Sequence, residues 1–173
     1  ENAEIFRGEP NDVLQRAIDC ASTHGFTRMA RICGDRPFLD PTLIEQLLER
    51  QSTQDLDLAT NVLKPTFPKG MATEIIAVRA LERIAHGKTT PPDHEHVTHF
   101  IYQNPSQFGI FNLTSEDHSM SALNLAVDTE IDFARANWIA SHLREPATAT
   151  FTEIVTLAQR WEQEKSATSV LKS

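Results

Sequence analysis

The stretch Arg31-Ile32-Cys33-Gly34-Asp35-Arg36-Pro37 constrains this chain more than any other. A short β-leaning apolar run, entered through Met29 and Ala30, stops at a Gly-Asp pair and then meets a proline, so Asp35 is expected at the carboxyl end of a strand. Open α/β sheets bind their ligands at that end. Asp40-Pro41-Thr42-Leu43-Ile44-Glu45 follows as an N-cap, a proline at the first helical position and the start of an amphipathic helix. Strand, carboxylate and helix thus fall within one short unit, the signature of an α/β fold.

A chain of 173 residues that is 40% hydrophobic is long enough for one globular domain with its own core, and residues 1–173 are read as a single domain. A net charge of -8 disfavours a nucleic acid polymer or an anionic membrane as partner, because either calls for a basic face. A local basic pocket for a small anion remains compatible with it. Cys20 and Cys33 are too few for a disulfide framework or a metal knuckle and are read as reduced core thiols. No apolar run approaches the roughly 20 residues of a membrane span, and the first residues lack a signal-peptide pattern. The expected setting is cytoplasmic.

The elements alternate. Ala3–Phe6 reads as a short strand, and Asn11 or Asp12 caps a helix with Val13, Leu14, Ala17, Ile18 and Ala21 on one face, stopping at His24-Gly25. A strand over Thr27–Cys33 leads to the helix from Pro41 to about Arg50, whose apolar side is Ile44, Leu47 and Leu48. Asp57–Val62 and Thr73–Val78 read as strands flanking a loop punctuated by Pro65, Pro68 and Gly70, and Ala80–Ala85 as a helix. A further helix is expected from His94 to about Tyr102, ending before Asn104-Pro105. Phe108–Leu113 and Leu123–Val127 read as strands that pair antiparallel, which makes the sheet mixed. Thr129 and Asp132 form a capping-box pattern for the next helix. After Pro146 a last helix carries Ile154, Leu157, Ala158 and Trp161 on one face, and residues 162–173 read as a frayed polar tail.

Asp35 and Asp128 are the two strand-end carboxylates, and two roles are open to them. They are ordinary turn and cap residues, or they hold a magnesium ion that keeps several waters and takes its remaining ligands from substrate phosphates. Of His94, His96 and His99, only His96 and His99 have a spacing that shares a helical face, which makes a zinc site the weaker reading beside solvent-facing or pocket histidines. The sequence has no G-x-S-x-G, G-x-G-x-x-G or Walker A pattern. Trp138 and Trp161 lie on helices and read as packing residues.

The motifs follow one another in a specific order. They are Arg7-Gly8 with Asp12-Val13-Leu14, Arg31 to Pro37, Thr60-Asn61, Thr66-Phe67-Pro68-Lys69-Gly70, Glu74, Glu95-His96-Val97-Thr98 and Val127 to Phe133. The succession resembles the spore-coat polysaccharide biosynthesis branch of the acylneuraminate cytidylyltransferase family. The resemblance implies a nucleotide-diphospho-sugar transferase-like fold, three-layer α/β/α with a mixed, mainly parallel sheet, and transfer of CMP from CTP to a sugar with release of pyrophosphate. It implies Asp35 and Asp128 as the catalytic, Mg2+-binding pair, with Arg31, Lys69, Glu74, Glu95 and His96 as substrate-binding residues. CTP and a sugar are the implied partners, and a homodimer is expected because the Pro65–Gly70 loop and Thr73–Val78 strand read as an excursion from the main sheet.

The motifs also depart from the family pattern. Ala72 stands where an aspartate is usual, and His94 and Asn124 stand where arginines are usual. The strand and glycine-, arginine- and lysine-rich loop with which family members begin is not recognised ahead of Glu1, so the expectation is the C-terminal part of a family domain. By itself that part is expected to bind CTP weakly and not to turn it over. The alternative is a non-catalytic relative that keeps the fold as a binding or assembly module.

Overall fold

The computed structural model describes residues 3–170, with side chains as far as Ser166. The chain forms two compact units. The first takes in the chain up to Arg31, Ile44–Leu63 and Thr73–Leu113; the second takes in Ile32–Leu43, Lys64–Ala72 and the chain from Thr114.

The first unit is built on a four-stranded sheet of β1 (Arg28–Arg31), β2 (Leu58–Thr60), β3 (Glu74–Ala77) and β4 (Ile110–Asn112), in the order β1-β3-β2-β4. The sheet is mixed, as the sequence implies. Its pairings correct the expectation of mainly parallel strands: β1–β3 and β2–β3 are antiparallel, and β2–β4 is parallel. The reversal between β2 and β3 is local. Asn61 N–H donates to Thr73 O at 3.3 Å and Thr73 N–H to Asn61 Oδ1 at 2.8 Å, folding the chain back where a parallel pair would need a helical crossover. β3 lies between two partners and all four of its residues are buried, so Thr73–Val78 is no excursion and offers no open edge for a second copy. The edge argument for a homodimer therefore does not hold.

Helices cover both faces of this sheet. Alternation along the strands sends Leu58 and Ile76 to one side, where they pack with Leu14 of α1 (Val13–His24), Leu81 and Ile84 of α3 (Val78–Ala85), Val97, and Ile101. Ala59 and Ile75 face the other side and pack with Leu47 of α2 (Pro41–Thr53), with Ile44, Leu56 and Phe111 around them. This unit is thus a three-layer α/β/α arrangement. Leu48 does not join the core, being 40% exposed. α1 has the predicted ends: Asp12 Oδ1 accepts the Gln15 N–H at 2.9 Å, and Gly25 closes the helix at φ 66.

Three further expectations change. Ala3–Phe6 forms no strand. The single helix from His94 to Tyr102 is two, α4 (Pro91–Glu95) and α5 (His99–Gln103). Thr90 donates from its N–H and hydroxyl to Asp93 Oδ2, each at 2.7 Å, which starts the helix at Pro91, and the chain then turns so that Val97 is buried. Leu123–Val127 makes no strand with Phe108–Leu113, because β4 takes β2 as its partner.

The second unit contains α6 (Glu130–His142) packed on α7 (Phe151–Val170). Trp138 and Trp161 meet between them with ring centroids 5.6 Å apart and planes tilted by 55°, as packing residues. α7 continues to Val170, through most of the segment read as a frayed tail; residues 171–173 lie outside the described residues. Cys20 and Cys33 are free thiols, each partly exposed instead of lying in the core. Among the described residues no helix is long and apolar enough to cross a membrane.

Candidate functional site

Asp35 and Asp128 are brought together in the second unit, although neither directly ends a strand. Asp35 lies in the Gly34-Asp35 turn after β1, and its carbonyl accepts the Val127 N–H at 2.9 Å, so Asp35 and the residue preceding Asp128 share a hydrogen bond. Asp35 Oδ1 is buried and accepts no hydrogen bond; the closest cation to it, Arg36 Nε, stands 3.8 Å away. Arg36 is anchored elsewhere, because its Nη1 donates to Ala72 O. An unsatisfied carboxylate oxygen beside a second aspartate suits a hard cation, which takes oxygen ligands. Among the described residues no group of three or more His, Cys, Asp or Glu side chains is placed to hold a metal.

Lys69 meets Asp128. Its ammonium donates to Asp128 Oδ2 at 2.6 Å, and that contact, followed by the charges of Asp132 and Asp35, raises the lysine above its ordinary range. The backbone aims it: Lys69 N–H donates to Leu123 O at 3.0 Å, Leu125 N–H donates to Lys69 O at 2.6 Å, and Lys69 forms a parallel bridge with Asn124. Gly70 at φ 95 lets this segment approach. A Cβ there would come within 2.5 Å of the Leu125 carbonyl carbon and closer still to Ala126 N.

The loop ahead of Asp128 is locked by Asp132, expected from its capping pattern, and by contacts of Arg135 and Asn124 that the sequence reading missed. Asp132 is the N3 residue of the expected capping box, accepting from Thr129 N–H at 3.0 Å and Thr129 Oγ1 at 2.7 Å. It also takes Arg135 Nη2 at 2.7 Å and Asn124 Nδ2 at 3.2 Å, while Arg135 reaches Ala126 O at 3.0 Å. The Thr129 hydroxyl and the Arg135 guanidinium together hold the Asp132 carboxyl down to about 2. The i, i+3 spacing of Asp132 and Arg135 was the available signal. A cavity of about 440 Å³, within the size range of small-molecule sites, is lined mainly by Gly34, Pro37, Phe38, Val127, Phe133 and Ala140, two of which, Gly34 and Val127, directly precede the aspartates.

The remaining predicted residues lie in the first unit. Arg31 pairs across strands with Glu74, and Arg31 Nη1 donates to Glu74 Oε2 at 2.7 Å. The other oxygen, Oε1, accepts the Tyr102 hydroxyl at 2.5 Å, so both oxygens of Glu74 are engaged within the protein. Burial, and then the charge of Glu74, pushes the Tyr102 hydroxyl above its ordinary range. Glu95, the last residue of α4, and His96, just after it, are exposed. His96 and His99 do not share a helix, and His99 Nδ1 instead contacts Asp93 Oδ1 at 2.7 Å, which removes the geometric basis of a zinc pair. His94 lies between Asp12 Oδ2 and Thr89 Oγ1, 2.8 Å from each.

No family model matches the sequence. An uncharacterized protein of Methanocaldococcus jannaschii is 29% identical over 130 residues, covering 75% of this chain and 52% of the relative. The spore coat polysaccharide biosynthesis protein SpsF of Bacillus subtilis is 25% identical over 158 residues, covering 90% of this chain and 65% of SpsF. A solved cytidylyltransferase from Leptospira borgpetersenii serovar Hardjo-bovis superposes with a TM-score of 0.82 at 25% identity, covering 93% of this chain and 66% of that one. The chain therefore spans about half to two thirds of the length of these relatives. Sequence and fold together make this chain similar to SpsF and to a solved cytidylyltransferase.

Proposed function

We propose that this chain is part of a nucleotidyltransferase of surface polysaccharide or acidic-sugar biosynthesis, which transfers CMP from CTP to a sugar and releases pyrophosphate. The observation that carries the reading is the juxtaposition of Asp35, with its unsatisfied buried oxygen, and Asp128, joined through the Asp35 O to Val127 N–H bond. Asp35 and Asp128 would hold a Mg2+ ion, which when bound supplies charge neutralisation for a phosphate under attack and for its pyrophosphate leaving group. The protein's own part is positioning. Arg36, tied to Ala72 O, and the Asp132–Arg135 pair hold the two aspartate-bearing loops, and Lys69 presents a cation beside Asp128. In the first unit, Glu74 fixes the orientation of Arg31, whose part-exposed guanidinium suits an anionic substrate group, and Glu95 and His96 stand exposed for contacts with the sugar.

The test uses the full-length protein with CTP, Mg2+ and a panel of acidic sugars, read as pyrophosphate release. Release that is lost in Asp35→Asn and Asp128→Asn supports the reading; release that survives both removes it. A second reading, a non-catalytic relative, is favoured by the internal work done by two of the departing side chains. His94 is engaged by Asp12 and Thr89, and Asn124 braces Asp132 and accepts the Ala126 N–H at 3.0 Å. Calorimetric binding of CTP without turnover of any sugar would select it.

A further inference from the structure

Lys69 stands where a cation belongs in the Asp35–Asp128 cluster. Asp132 pairs with Arg135 at 2.7 Å and Arg36 Nε stands 3.8 Å from Asp35 Oδ1, whereas Lys69 is in direct contact with Asp128 at 2.6 Å. The lysine backbone is fixed on both sides by Leu123 and Leu125, whereas its side chain is 62% exposed and that of Asp128 is 48% exposed. The ammonium can therefore leave Asp128 by rotating its four-carbon stem, without disturbing the chain that carries it.

We infer that Lys69 is the resident cation of this cluster and competes with the divalent ion for Asp128. This rests on the reading of Asp35 and Asp128 as the metal pair. A doubly charged ion drawing on Asp35 Oδ1 and on Asp128 displaces the single charge of Lys69, whose ammonium is then free to meet a phosphate oxygen of the incoming nucleotide. Lys69 offsets one of the two carboxylate charges and the divalent ion offsets both, and the cation is retained poorly until an anionic substrate takes up the released lysine. Metal and nucleotide binding are thereby coupled through one side chain, and Lys69 sets the affinity of the free protein for the metal.

The experiment titrates Mn2+ alone into the full-length protein at fixed ionic strength, with free Mn2+ read by its electron paramagnetic resonance signal. Wild type is compared with Lys69→Met, Lys69→Arg, and Lys69→Met combined with Asp35→Asn. Because Lys69 is exposed, its substitution is expected to leave the fold intact, which circular dichroism verifies. Lys69→Met is expected to bind Mn2+ about ten-fold more tightly than wild type, Lys69→Arg to stay near wild type, and the double variant to lose the gain. Equal affinity in wild type and Lys69→Met, with dependence on Asp35 in both, overturns the competition while leaving the metal pair standing. Absence of Mn2+ binding in every variant overturns both.

Discussion

Arg31 and Glu74 face each other across β1 and β3, and their 2.7 Å ion pair is buried unequally: the Glu74 side chain is 3% exposed and that of Arg31 is 31% exposed. Loss of the arginine strands a buried carboxylate, whereas loss of the carboxylate charge leaves a cation that water can reach. Arg31→Ala is expected to destabilise the protein by about 2–3 kcal/mol and Glu74→Gln by about 1–2 kcal/mol. Urea unfolding of both variants checks the order, and a reversed order would contradict the unequal burial.

Tyr102 is the single tyrosine of the chain, so its ionisation can be followed directly by phenolate absorbance. Burial and the Glu74 carboxylate raise its hydroxyl above the ordinary value of 10.0. A raised group contributes stability that is present below the unfolded pKa and lost as pH rises towards the folded one. The phenolate signal is therefore expected to be absent from the folded protein at pH 10 and to appear at lower pH in Glu74→Gln; an unshifted signal in that variant would contradict the coupling.

Gly70→Ala introduces a Cβ against the backbone of Leu125 and Ala126 at a positive φ. Neither neighbour is a flexible side-chain tip that can move aside. The expected cost is at least about 3 kcal/mol, with loss of the Lys69–Asn124 bridge. Thermal unfolding measures the first, and exchange of the Lys69 and Leu125 amides measures the second.

Asp132, held at about 2 against an ordinary 3.8, is the depressed case. Its contribution is present above the unfolded value and lost as pH falls towards 2. Wild type should lose stability more steeply than Asp132→Asn between about pH 4 and pH 2. Parallel urea midpoints across that interval would show that the carboxylate is not held as described.

Both ends of α1 and the starts of α2 and α6 were legible because capping and the proline at the first helical position are local. Asp35 and Asp128 were legible as a pair through motif order. Pairing direction was not, since the β-branched run Glu74–Ala77 reads alike as an edge or a central strand, and its place between β1 and β2 is fixed by contacts distant in sequence. Leu48 fits the helical period and still faces outward, because the apolar stripe met by the sheet is narrower than the pattern suggests. Tyr102 and Arg135 gave weaker signals still. Each matters through a partner whose position only the folded chain reveals.

The strand registers have a consequence for the order of assembly. β2 meets β3 at Thr60 and Glu74, 14 residues apart, but meets β4 at Leu58 and Ile110, 52 residues apart. Closing the longer loop costs about 1 kcal/mol more chain entropy than closing the shorter, before any packing is gained. β4 should accordingly dock late, onto a β2–β3 pair already formed, and in unfolding fluctuations it should be the first strand to detach. Hydrogen exchange would then separate the two edges of β2, with the β4 amides released at lower free energy than those of β3.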